Sequence, residues 1–136
     1  MVRIKRLTPM LNVADIERSL NFYQAVAGFE PVSPRDALEQ WRWAHVRAGD
    51  CELMLSESGG PASPPAPADA AEDDGWPAIY YFYPEDVTAL HGEIRRRGFR
   101  PSDLRVTFYG MKEFELRDPD GHILWFGQQT DEPHTS

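Results

Sequence analysis

The chain has 136 residues, is 41% hydrophobic, and carries 14 Lys and Arg against 22 Asp and Glu, so its net charge is 14 − 22 = −8. Those values describe one globular domain large enough to bury a core. No stretch approaches the roughly 20 apolar residues that span a bilayer, and no signal-type apolar region opens the chain, so neither a membrane protein nor a secreted precursor is expected, and a cytoplasmic location is. A single cysteine, Cys51, can form neither an internal disulfide nor a multi-cysteine zinc site. The acidic balance argues against nucleic acid, whose phosphates need clustered Lys and Arg, and mildly favours a cationic ligand.

In chain order, a strand-like run from Ile4 to Val13 precedes Asp15-Ile16, which opens a helix with Ile16, Leu20, Tyr23 and Ala27 on one face. Asp15 suits its N-cap, Gly28 a left-handed C-cap, and Pro31 stops continuation. Strand signal follows at Gln40–Arg47, where Trp41, Trp43 and His45 alternate, and at Cys51–Ser56. Residues 57–75 hold four of the twelve prolines and no aromatic or branched aliphatic residue, which predicts a linker.

A second pass of the same pattern then begins. Strand signal at Ala78–Tyr83 leads to Asp86-Val87, a helix with Val87, Leu90 and Ile94 on one face, and a stop at Gly98-Phe99-Arg100-Pro101. The cap residues repeat at 86 − 15 = 71 and the Gly-Phe pairs at 98 − 28 = 70, an internal duplication offset by one residue. Strands are predicted at Asp103–Phe108, Lys112–Arg117 and His122–Gly127, the last two joined by a turn at Asp118-Pro119-Asp120-Gly121. Thr130–Ser136 reads as a frayed tail. The repeating unit is β-α-β-β-β, occupying 4–56 and 76–127, and the fold class is α+β.

The duplicated module, the stretch from Asn12 to Tyr23 running to Gly-Phe, and the closing Phe114-Glu-Leu-Arg-Asp-Pro-Asp-Gly-His122 together resemble the vicinal oxygen chelate superfamily. That group includes glyoxalase I, extradiol dioxygenases, fosfomycin resistance enzymes and bleomycin resistance proteins. The resemblance implies curved mixed sheets forming a cup with helices outside. It also implies, in metal-using members, four cup-facing ligands, one on the first and one on the last strand of each module. Here those positions hold Thr8, Glu52 (or Met54 with a two-residue slip), Ile79 and Trp125. One carboxylate cannot hold a divalent ion that needs several His or carboxylate groups at about 2.0–2.2 Å. His45, His91, His122 and His134 form no local pair and read as surface or strand residues, so neither a metal nor another cofactor is expected.

Strand alternation assigns faces. Met10, Met54, Ile79, Tyr81, Tyr83, Ile123 and Trp125 share the cup side, as do Glu113, Glu115 and Arg117, while Phe114 and Leu116 turn to the helices. Cys51 reads as buried packing on the helix side. The resulting candidate ligand residues are Trp41, Trp43, His45, Glu52, Met54, Tyr81, Tyr109, Met111, Glu113 and Trp125, a set suited to flat apolar groups oriented by charge. Tyr109-Gly-Met-Lys-Glu-Phe114 and the acidic charge resemble the bleomycin resistance branch, which implies a homodimeric, metal-free protein that sequesters an antibiotic or toxic compound, aromatic or cationic, without altering it. The alternatives are an enzyme of the same fold, a lyase, isomerase or dioxygenase with an atypical or absent metal site, and a structural or regulatory partner. No catalytic residue is assigned. Arg95-Arg-Arg97 closes a helix and complements its dipole.

Overall fold

A computed structural model describes residues 1–59 and 78–135. The protein has two compact units, Met1–Ala70 and Ala71–Ser136, each a four-stranded mixed sheet with helical cover, in an α+β fold. Most of the predicted linker lies outside the described residues.

The first unit runs β1 (Met10–Val13), α1 (Ile16–Ala27), β2 (Glu30–Pro31), α2 (Arg35–Trp41), β3 (Trp43–Ala48) and β4 (Cys51–Glu57), with sheet order β1-β4-β3-β2. The second runs β5 (Ile79–Phe82), α3 (Val87–Arg96), β6 (Arg105–Val106), β7 (Met111–Arg117) and β8 (Ile123–Gln129), in order β5-β8-β7-β6. In both, the first strand lies parallel to the last and the other pairings are antiparallel.

The predicted caps form. The Asp15 carboxylate accepts from Arg18 N–H at 3.1 Å, and Asp86 accepts from Ala89 N–H at 3.0 Å. Gly28 ends α1 at φ +72°, a conformation that costs glycine no Cβ clash. A second helix-start contact also repeats: Ile16 N–H donates to Glu57 Oε2 at 3.0 Å, and Val87 N–H to Gln128 Oε1 at 2.9 Å. In α1 and α3, therefore, a first-turn N–H with no partner inside the helix is met by a side chain from the last strand of the same sheet.

The registers explain the one-residue offset of the duplication. Met10 pairs with Met54 as Tyr81 pairs with Trp125, both at an offset of 71. Arg47 and Glu52 flank one hairpin turn and Arg117 and Ile123 the other, at offsets of 117 − 47 = 70 and 123 − 52 = 71. The second module is thus one residue shorter up to its helix C-cap and one residue longer in its hairpin. That longer turn is the predicted one: Gly121, at φ +87°, donates to Asp118 O at 3.0 Å, and the buried Asp118 carboxylate accepts from Asp120 and His122 N–H.

Each sheet packs one face on its helix. In the first unit Leu11, Val13, Ala44, Val46, Leu53 and Leu55 are buried on the sheet, as are Ile16, Phe22, Tyr23 and Val26 on α1, which packs against β4. In the second, Phe114, Leu116, Leu124 and Phe126 meet α3, with Phe114 and Phe126 stacked at 5.0 Å. Phe114 and Leu116 therefore face the helix as alternation predicts. The helix faces themselves differ from the expectation. Ser19, Phe22 and Val26 are buried in α1 while Leu20 and Ala27 are only partly covered. In α3 His91 is buried, its ring 5.0 Å from Phe114 and its Nε2 2.8 Å from Ser102 O, so it is a satisfied core group and not a surface residue.

Other expectations are corrected. β1 begins at Met10, so Thr8 lies before it, and β5, the first strand of the second unit, begins at Ile79. Residues 35–41 form α2, placing Trp41 on a half-exposed helix and not on a strand with Trp43 and His45. Ala37, Leu38, Glu39 and Gln40 favour helix locally, and the alternation at Trp41 is accidental. Arg42 closes that helix at φ +52°. Cys51 is exposed because it opens β4 at the hairpin end, paired only with Ala48. Glu57 ends β4 and does not belong to the linker. The tail is tied down: Thr135 N–H donates to Val106 O and its hydroxyl accepts from Val106 N–H, at 2.8 and 2.9 Å.

Candidate functional site

On the helix-free face of the second unit, β5, β7 and β8 bring Tyr81, Glu113 and Trp125 together, and the β6–β7 hairpin adds Tyr109. Register places Tyr81 beside Trp125 and Glu113 opposite Gly127. The Tyr81 ring leans across Gly127, where a built Cβ would collide with the hydroxyl and lie 2.7 Å from Cζ. A glycine in mid-strand is needed here to let the ring pass. The Tyr81 hydroxyl then donates to Glu113 Oε2 at 2.7 Å, and the Tyr109 hydroxyl donates to Oε1 of the same carboxylate at 2.6 Å. Arg105 approaches Oε1 at 3.4 Å and lies over the Trp125 ring, 5.8 Å from its centroid. Glu113 is 1% exposed. Burial, then the bond to Glu113, pushes Tyr81 up from its ordinary pKa, and Tyr109 moves the same way for the same causes. Both phenols stay protonated through neutral pH.

Tyr81 and Tyr109 border an open cleft of about 700 Å³, lined also by Tyr83, Pro84, Met111, Gly127, Gln128 and Gln129. Tyr81 lies 5.0 Å from Tyr83 and 6.2 Å from Trp125, centroid to centroid. Trp125 itself borders a smaller hollow of about 170 Å³ with Arg105, Glu113 and Glu115, and donates Nε1–H to Glu115 at 3.0 Å.

The helix-free face of the first unit carries Trp43, His45, Glu52 and Met54. His45 stands across from Met54, its ring 6.4 Å from Trp43, and its Nε2 is 2.7 Å from Glu52 Oε1. That hydrogen bond, helped by Arg6 and Arg47, holds the Glu52 carboxyl below the usual range. Nine of the ten sequence-assigned residues thus lie on helix-free sheet faces or the adjoining hairpin, four in the first unit and five in the second. Trp41 stands apart on α2. Sequence reasoning missed Gly127, Gln129 and Arg105. An isolated glycine inside an apolar strand was the available signal for the first, and nothing local marks the other two.

The donor set does not fit a chelated metal. Since Met54 pairs with Met10 as Trp125 pairs with Tyr81, the structural counterpart of Trp125 in the first module is Met54, not Glu52. The four positions are then Thr8, Met54, Ile79 and Trp125, of which Ile and Trp offer no ligand atom. Among the described residues Asp15, Glu17 and Glu57 do bring carboxylates within 4.8 Å of one another. The Arg42 guanidinium already occupies that cluster, donating to Glu17 at 2.6 and 2.7 Å and to Glu57 at 2.8 and 3.1 Å, so its charge is met without an ion.

Comparison with known proteins agrees with this architecture. Residues 3–126 match the model of the Glyoxalase/Bleomycin resistance protein/Dioxygenase superfamily, and the chain belongs to that superfamily. Solved structures with the same fold include TioX from Micromonospora sp. ML1, with TM-score 0.71, 18% identity and coverage of 92% of this chain and 99% of that one. Virulence protein STM3117 from Salmonella typhimurium gives TM-score 0.69 at 21% identity, covering 95% and 100%. SMU.1112c gives 0.65 at 28% identity, covering 92% and 99%. A search of curated proteins finds no match. Among the described residues no helix is long and apolar enough to cross a membrane.

Proposed function

We propose that this protein is a metal-independent binder of small aromatic compounds, acting by sequestration and not by turnover. The observation that carries this reading is the cleft walled by Tyr81, Tyr83, Tyr109 and Met111, in which Tyr81 and Tyr109 are fixed by one buried carboxylate. Flat aromatic walls give a ligand large contact area at low entropic cost, and rings held in place before binding lose little freedom. An open cleft of about 700 Å³ falls within the range of small-molecule sites. A toxic or antibiotic compound as cargo, a homodimeric assembly and a cytoplasmic location belong to the same reading, and sedimentation velocity tests the assembly.

Titration with a panel of planar aromatic compounds, followed by tryptophan fluorescence, tests the function. Saturable quenching is expected, and it should be lost on Trp125→Phe, whose ring lies 6.2 Å from Tyr81. One equivalent of Ni, Zn, Mn or Fe per chain, with catalytic turnover that chelation removes, would overturn the proposal in favour of an enzyme.

A further inference from the structure

The cleft has an unusual hydrogen-bond polarity. A phenol has one O–H proton and two lone pairs. Tyr81 and Tyr109 both spend that proton on Glu113, at 2.7 and 2.6 Å. What the two phenols have left is acceptor capacity alone. The carboxylate between them has no place among the cleft-lining residues and is met from another side by Arg105, so its charge is not offered directly to a ligand. Gln128 is anchored at both ends, its Oε1 accepting from Val87 N–H and its Nε2–H donating to Glu85 O, which leaves one N–H and one lone pair and so no preference. The Tyr83 hydroxyl and the Gln129 amide can donate or accept, so neither discriminates.

We infer that the cleft selects planar ligands bearing an N–H or O–H donor, which the Tyr81 and Tyr109 oxygens accept, and disfavours ligands that present only acceptors or an anion. The inference rests on the cleft being the ligand site and adds the chemical class of the ligand. Glu113 is a positioning residue in this scheme: it sets the direction of both phenol protons without touching the ligand. An acceptor-only ligand finds two oxygen lone pairs facing its own, with a negative charge behind them. Leaving buried polar groups mismatched in this way is where sites built from hydrogen bonds gain their discrimination. The raised pKa of both tyrosines keeps the arrangement intact across neutral and mildly alkaline pH.

The test uses the full chain and three near-isosteric probes: indole, which donates; N-methylindole, which does neither; and quinoline, which only accepts and is neutral at pH 7.5. Binding is read from the backbone amide NMR shifts of Gly127 and Met111. Indole is expected to bind about tenfold more tightly than either of the others, the value of one well-made hydrogen bond. In the Tyr81→Phe/Tyr109→Phe double variant the advantage of indole over N-methylindole should disappear. In Glu113→Gln the new amide donates to one phenol oxygen and frees that phenol's proton, so quinoline should gain on indole several-fold. The double variant keeps the test open should Glu113→Gln fold poorly. Equal binding of the three probes to the wild type, or an indole preference unchanged in the double variant, overturns the donor preference and leaves the binding function standing. Absence of any shift at Gly127 and Met111 with all three probes overturns both.

Discussion

The two units solve the same folding problem with the same contacts and then part company on their helix-free faces. Each caps its helix with an aspartate and brings a last-strand side chain, Glu57 or Gln128, to the first helical N–H. On the other face, the first unit keeps a carboxylate, Glu52, hydrogen-bonded to His45 and ion-paired with Arg6 and Arg47. The second buries its carboxylate, Glu113, under two phenols. The contacts that hold a sheet to its helix cannot vary independently, because every one satisfies a backbone group or fills core volume. The opposite face is free of that constraint, and there duplication leaves room for divergence.

The largest expected effect that separates the units is at their carboxylates. Glu113→Ala leaves two phenol protons and Arg105 without their acceptor and should cost about 3 kcal/mol, whereas Glu52→Ala should leave the melting temperature nearly unchanged; equal losses in urea unfolding would break the distinction. Next comes the pair Gly127 and Ser56, equivalent at an offset of 71. Gly127→Ala forces the Tyr81 ring aside and should cost roughly 1–3 kcal/mol and abolish ligand binding, while Ser56→Ala loses about 1 kcal/mol or less and leaves binding intact. A structure of Gly127→Ala with Tyr81 unmoved would contradict the steric account.

A smaller effect concerns Arg42, whose register counterpart, Lys112, lies within a regular strand. Arg42 holds φ +52° while its guanidinium joins Glu17 and Glu57. Arg42→Gly and Arg42→Ala both lose the ion pairs, but glycine relieves the backbone, so it should be the more stable of the two by about 1 kcal/mol. The reverse order in thermal melts would show that the left-handed conformation is not retained.

The pH response should sharpen the contrast further. In the first unit hydrogen bonds from Arg42 lower Glu17 and Glu57 and the bond to His45 lowers Glu52, against one such carboxyl in the second, Glu132, lowered by its bond to Lys112. A carboxyl depressed on folding stabilises above its unfolded pKa, and that stabilisation is lost as pH falls through the folded value, so the first unit should weaken below about pH 4.3. Tyr81 and Tyr109 are raised, so their contribution is complete below about pH 10 and declines as pH climbs beyond it. Methyl NMR signals of Ile16 and Ile94 should report acid sensitivity first in one unit and alkaline sensitivity first in the other. Simultaneous loss of both signals at each extreme would mean that the units unfold together.

Much of the plan was legible in the residues. Capping aspartates, Gly-Phe stops and the Asp-Pro-Asp-Gly turn are local signals, because each sets the backbone within a few residues of itself. Period-two alternation placed Phe114 and Leu116 against the helix and Tyr81, Glu113 and Trp125 away from it. Alternation misled at Trp41, where a seven-residue helix is too short to show its own period. It misled again at Cys51, where the correct face lies at a strand end beyond the cover of the helix.

The sequence by itself determined the duplicated βαβββ order, its offset and the aromatic character of the helix-free faces, since these follow from local backbone preference and side-chain period. Only the tertiary structure decided that Glu113 is buried between two phenols and Arg105, that Tyr81 crosses Gly127, and that Arg42 fills a carboxylate cluster. Those outcomes depend on strand register and side-chain reach between residues up to 46 positions apart, as in the bridge from Tyr81 to Gly127. The opening charge of −8 suggested a cationic ligand. The fold spends Glu52, Glu57 and Glu113 on internal partners, so less of that charge is left for a ligand, and the proposed recognition rests on the direction of two phenol protons instead.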